Sequence, residues 1–180
     1  MKKQLLALAA AVAVSPAAMA QDAYFGADFS FVSAELTDWQ GETADSDPTA
    51  LRVRGGVGLS ENFAIEGVVG LGLQDDEVSG TPYDLELDSL FGINAVGILP
   101  LDRTLSLFGK IGFANLEYKD SDGDTYDDTG VSFGFGAKVN FDRNGSGLVI
   151  EYTILPDTEN EEYDIEVESE MISIGAQFAF

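Results

Sequence analysis

Apolar and polar residues alternate with a period of two along most of the chain beyond residue 22, and no window sustains the period of an amphipathic helix. The alternation predicts strands near 23–32, 49–59, 63–74, 85–99, 105–118, 129–141, 148–155 and 165–180. The connections alternate in length. Those at 60–62, 100–104 and 142–147 are short, and those at 33–48, 75–84, 119–128 and 156–164 are long. Pro48, Pro82, Pro100 and Pro156 all fall in connections, where a missing N–H removes no ladder bond. Eight strands in an up-and-down meander predict an all-β, antiparallel barrel.

One face of these strands carries more than thirty apolar side chains, twelve of them aromatic, among them Phe29, Ile65, Ile93, Phe113, Phe133, Ile150 and Ile174. The other face carries charged and small residues, including ten of the twenty glycines: Gly26, Gly56, Gly58, Gly70, Gly72, Gly92, Gly112, Gly134, Gly136 and Gly175. Alternation alone does not say which face points inward, and a soluble secreted barrel would bury the apolar one. Volume decides. An eight-stranded barrel has a bore just wide enough for its own side chains to fill, so the apolar set overfills it whereas the glycines suit it. The apolar face is therefore expected to face lipid. A tilted strand needs about 9 to 11 residues to cross the hydrocarbon, and 23–31, 51–59, 63–73, 91–99, 105–113, 131–141 and 172–180 fit; the seventh strand, 148–154, is short. In the last strand the outward register turns from Ile172 to Glu170, Glu168 and Glu166, which marks the edge of the belt. The expected fold is an eight-stranded antiparallel up-and-down transmembrane β-barrel.

The first twenty residues fit this destination. Lys2 and Lys3 precede an apolar run from Leu5 to Val14, then Pro16 and Ala18-Met19-Ala20, the layout of a secretory signal with cleavage expected after Ala20. Residues 21–180 then form one domain, with 7 basic and 32 acidic residues and a formal charge of −25. Such acidity excludes nucleic acid as a partner. The chain has no cysteine, hence no disulfide or thiolate metal site.

The terminal run Ser173-x-Gly175-x-x-Phe178-x-Phe180, together with the belts and the leader, resembles the small bacterial outer-membrane β-barrel proteins, the eight-stranded class that includes OmpX and the OmpA membrane domain. The resemblance covers nearly all of 23–180. It implies residence in the outer membrane of a Gram-negative cell and contact with outer-membrane lipid and lipopolysaccharide. It further implies that Ser173, Gly175, Phe178 and Phe180 form the C-terminal signal read by the barrel-assembly machinery, with periplasmic chaperones as partners on the way. A monomer is expected. No peptidoglycan-binding domain is expected after Phe180, and so neither is the two-domain OmpA arrangement.

Counting residues from the short-turn end places Asp28, Arg52, Arg54, Glu66, Asn94, Lys110, Lys138, Glu151 and Gln177 in a slab of the bore about 10 Å thick, taking about 2.5 Å of climb per tilted residue. Four cations and three anions at such quarters predict a polar network that plugs the bore, since unpaired buried charge is costly. The alternative is a narrow porin-like channel for small solutes or ions, in which the pairs exchange partners.

Of the 32 acids, 25 lie in or beside the four long connections, with Lys119 as their only base. On the family's topology these loops face the cell exterior as a hydrated acidic surface. Asp120, Asp122 and Asp124 take the first, third and fifth positions of a calcium-loop spacing, and Asp127 and Asp128 could complete an irregular site. The pattern lacks the sixth-position glycine and the twelfth-position glutamate, where Thr125 and Val131 stand. Weak, diffuse divalent-cation binding is the expectation, with no cofactor. Loop aromatics Trp39, Tyr83, Tyr126 and Tyr163 suit anchoring in the head-group zone. The chain has no histidine to serve as a catalytic base, and its bore serines (Ser30, Ser106, Ser132, Ser173) have no lysine at suggestive spacing, so no enzymatic activity is expected. A structural, adhesive or protective surface role is the leading expectation.

Overall fold

The computed structural model describes residues 23–37, 43–74, 76–77, 84–120, 125–142, 145–160 and 165–180. The expected leader and its cleavage site, and Trp39, Tyr83, Asp122, Asp124 and Tyr163, lie outside the described residues.

Among the described residues eleven strands form one sheet: β1 (Ala23–Thr37), β2 (Thr43–Ser46), β3 (Thr49–Ser60), β4 (Phe63–Gln74), β5 (Asp76–Glu77), β6 (Asp84–Pro100), β7 (Leu105–Asp120), β8 (Thr125–Asn140), β9 (Gly147–Ile154), β10 (Thr158–Asn160) and β11 (Ile165–Ala179). The eight long ones pair in the order β1-β3-β4-β6-β7-β8-β9-β11, every pair antiparallel. The sheet closes where β11 meets β1, from Tyr24 opposite Ala179 to Thr37 opposite Glu166. Even the end of the chain is tied in, because the Phe180 N–H donates to the Ala23 carbonyl at 2.9 Å. The fold is thus a closed eight-stranded barrel with no free edge through its middle, the form that satisfies every backbone group inside a bilayer.

Through that middle the outward side chains are apolar and exposed, as at Phe29, Ile65, Ile93, Phe113, Phe133, Ile150 and Ile174. The residues between them are buried: Asp28, Arg52, Arg54, Glu66, Ser132, Glu151 and Ser173. The short turns are closed by side chains. The Asp102 carboxylate accepts the Thr104 and Leu105 N–H groups at 2.6 and 2.8 Å, and Asp142 accepts that of Ser146 at 2.9 Å.

The long connections differ from expectation. Much of 33–48 is strand, since β1 continues to Thr37 and β2 pairs back on it from Ala34–Ser46 to Thr37–Thr43. Likewise β7 runs to Asp120 and β8 starts at Thr125, which puts Tyr126, Asp127 and Asp128 in a strand rather than a loop. Alternation does continue there with inverted chemistry. Val32 and Ala34 are buried inside the barrel while Ser33 and Glu35 are exposed outside it. Above the belt the outside medium is water, so the wall reads like that of a soluble barrel.

Beyond the belt, then, the interior is not filled by glycines and ions. Val32, Ala34, Ala50, Val68, Leu87, Leu90, Leu116, Tyr118, Leu155, Val167 and Met171 form an apolar core in the outer half of the bore. Leu87 joins it through a register shift on β6 between Leu87 and Ser89, which moves the inward position by one residue. The seventh barrel strand is short because Pro156 has no N–H to donate. The Leu155 N–H still bonds the Ser169 carbonyl at 3.0 Å in the β9–β11 register, and the buried proline ring lies against Gly130, where a Cβ would stand 2.5 Å from it.

Candidate functional site in the barrel bore

The buried charges converge from five strands. Asp28 on β1 stands opposite Arg52 on β3. The Arg52 guanidinium donates through both terminal nitrogens to Oε1 of Glu151 on β9, each at 3.1 Å, and lies 3.7 Å from Asp28 Oδ2. Arg54 Nη2 is 3.1 Å from Asp28 Oδ1 and its Nη1 is 3.5 Å from Glu151 Oε2. Lys110 on β7 donates to Glu66 Oε1 on β4 at 2.5 Å and also to Glu151 Oε2. Three cations meet three anions, and every one of these side chains is at most 6% exposed. At that depth, pairing offsets a desolvation penalty of several kcal/mol per ion. Glu151 is the hub, since it alone touches all three cations.

Asn94, Lys138 and Gln177 stand differently. Asn94 lines the same space beside Lys110. Lys138 turns toward the short-turn end and donates to the Gly145 carbonyl at 3.2 Å. Gln177 is half-buried on β11, opposite Gly26 and Gly147.

Several partners were not singled out from sequence. The Tyr24 hydroxyl donates to Glu66 Oε2 at 2.9 Å, and Thr153 donates to Glu151 Oε1 at 3.0 Å. Phe108 is an inward aromatic whose ring lies 5.1 Å from the Lys110 ammonium. The available signal was a bulky residue on the bore face with a glycine facing it. A Cβ at Gly56 would stand 2.2 Å from the Tyr24 ring, and one at Gly136 would stand 2.5 Å from that of Phe108. Glycines on this face make the room in which long polar and aromatic side chains lie across the bore.

The C-terminal run splits by face. Ser173 is buried and shares a 2.8 Å hydrogen bond with Ser30 across the β1–β11 seam. At Gly175 a Cβ would stand 2.2 Å from Asp28 Oδ1, so glycine lets the carboxylate reach its arginines. Phe178 and Phe180 are exposed on the lipid side.

Between the charges and the apolar core remains a cavity of about 20 Å³, lined by Arg52, Arg54, Lys110 and Glu151 below and by Leu90, Leu155 and Met171 above. That is room for about one water. Asp127 faces Glu117 across the β7–β8 ladder and Asp128 faces Leu116, and no group among the described residues has three acids placed to hold a metal ion.

Residues 5–180 match the family described as "Outer membrane protein beta-barrel domain". The chain belongs to this family. Its members' setting, the outer membrane of a Gram-negative bacterium, is accordingly that of this protein. No curated protein matches the sequence. Among solved structures, Neisserial surface protein A is similar, with a TM-score of 0.60 at 14% identity over 88% of this chain and 97% of that one. AlkL, solved in lipid bilayers, gives 0.60 at 18% identity over 89% and 90%. OprG from Pseudomonas aeruginosa gives 0.59 at 12% identity over 89% and 96%. At such identities the likeness is one of fold.

Proposed function

We propose that this family member is a non-enzymatic, non-conducting outer-membrane barrel that holds acidic extracellular loops at the cell surface in a structural, adhesive or protective role. The observation that carries the reading is the bore: six paired charges cross it, an apolar core lies over them, and the cavity between the two fits about one water. Each carboxylate in it is engaged by a cation, and the chain has no histidine to act as a base. Outer-membrane lipid surrounds the belt. Lipopolysaccharide, bridged to the acidic loops by weakly held divalent cations, is the neighbour that suits the rim. Ser173, Gly175, Phe178 and Phe180 serve as the signal for the assembly machinery.

Recording from the refolded protein in planar bilayers tests the closed bore. No conductance above background is expected from the wild type. Discrete steps would replace this reading with the narrow channel.

A further inference from the structure

At the outer edge of the lipid belt the wall loses its ladder on two sides. The β4–β6 ladder runs from Phe63–Gly97 to Gly70–Leu90 and stops there. The next pairing of β6 on that side is with β5, Asp76 opposite Leu85, one residue out of the earlier register. Leu71–Gln74 and Glu86–Ser89 therefore share no rung. Across the barrel the β8–β9 ladder stops at Phe133–Ile154, and β10, beyond Pro156, pairs with β11. On the third side β2 pairs with β1, and β5 with β6.

The outer end thus divides into two four-stranded leaves, β10-β11-β1-β2 and β5-β6-β7-β8. Within each leaf the ladders continue, that of β6–β7 with a register shift beside Asp88. Between the leaves, Val32, Val167 and Met171 of one pack with Leu87, Leu116 and Tyr118 of the other, and the Tyr118 hydroxyl donates to Ser169 Oγ at 2.8 Å. Below the last shared rungs every strand is laddered on both sides and the charge cluster ties β1, β3, β4, β7 and β9 across the bore.

From this we infer that the outer end is a two-leaved clamp. The leaves part as units about the Gly70–Leu90 and Phe133–Ile154 rungs, uncovering the apolar core to the exterior, while the wall below those rungs and its charged floor stay shut. Parting breaks apolar contacts, that of Pro156 with Gly130 among them, and the Tyr118–Ser169 hydrogen bond but no ladder within a leaf, so it is a local opening, below global unfolding in free energy. Pro156, just past the end of β9, and the one-residue offset between the β4–β6 and β5–β6 registers are the devices that interrupt the wall.

The chain has no native cysteine, so spin-label pairs report cleanly. The variant Glu35→Cys/Asp127→Cys places labels on the outer faces of opposite leaves, and Phe29→Cys/Phe113→Cys places them on opposite walls of the belt. In lipid nanodiscs the leaf pair should give two distance populations and the belt pair one. Adding Tyr118→Phe should raise the longer population about fivefold, the equilibrium effect of one ordinary hydrogen bond. A leaf pair as narrow as the belt pair and indifferent to Tyr118→Phe would overturn the clamp. Should Tyr118→Phe fail to fold, thiol labelling reads the same motion in the native background. Val167→Cys, between the leaves, should react with a water-soluble maleimide severalfold faster than Ser132→Cys in the bore below, and equal rates would refute the parting.

Discussion

The two storeys of the bore use the same alternation to opposite ends. In the lower one, Asp28, Arg52, Arg54, Glu66, Lys110 and Glu151 meet inside while phenylalanines and isoleucines face out. In the upper one, Val32, Leu116, Tyr118 and Val167 are buried inside while Ser33, Glu35 and Glu168 are exposed outside. Strands β1, β6, β7, β8 and β11 run through both. What changes is the medium around the wall: lipid selects apolar side chains on the outer face, and water selects charged ones. Inside, the lower storey gains its cohesion from ion pairs and the upper from apolar burial. The first is specific in partner choice. The second tolerates two leaves that share few rungs.

The comparison breaks most sharply at Glu151. Glu151→Ala leaves Arg52, Arg54 and Lys110 short of an anion in a site that water barely enters, and should lower unfolding stability in lipid vesicles by about 3–5 kcal/mol in a urea titration. A loss below about 1 kcal/mol would put this floor on a par with exposed ion pairs and erase the contrast. In the upper storey Leu116→Ala opens a gap in the apolar core and should cost about 3 kcal/mol by the same titration. Ile111→Ala, on the same strand but facing lipid, should cost less, because acyl chains close over the missing atoms. Equal losses would mean that the outer core is not packed as a protein interior.

The smallest expected effect lies at the short-turn end. The Thr104 and Leu105 N–H groups hold the exposed Asp102 carboxyl below the ordinary carboxylate range. Its contribution is present above the unfolded-state pKa and is lost as pH falls through the lower folded-state value. Wild type should therefore lose a small increment of stability on acidification that Asp102→Asn does not, read as the difference between their unfolding midpoints across that range. Parallel curves would remove the turn carboxylate from the account.

The belt strands and the face each residue takes were legible because period two is a local property. A run such as Phe25-x-Ala27-x-Phe29-x-Phe31 fixes its own orientation once a bilayer is the surrounding medium. The outer strand extensions were harder to see. At Val32-Ser33-Ala34-Glu35 the alternation persists with weaker, inverted contrast, and acid density there reads as loop. The charged residues of the bore were visible as a set. That Lys138 would turn to Gly145 while Tyr24 and Thr153 joined the acids depended on how far each side chain reaches, and on where a glycine leaves room.

The sequence by itself determined eight membrane strands, their inside and outside, and a bore rich in glycine and opposite charge. Only the tertiary structure decided that Glu151 is the hub, that the outer bore is apolar, and that the rim divides into two leaves. Those outcomes depend on the stagger between strands distant in the chain, on one register shift and on one proline, and side-chain alternation along a single strand carries no record of what lies across the barrel.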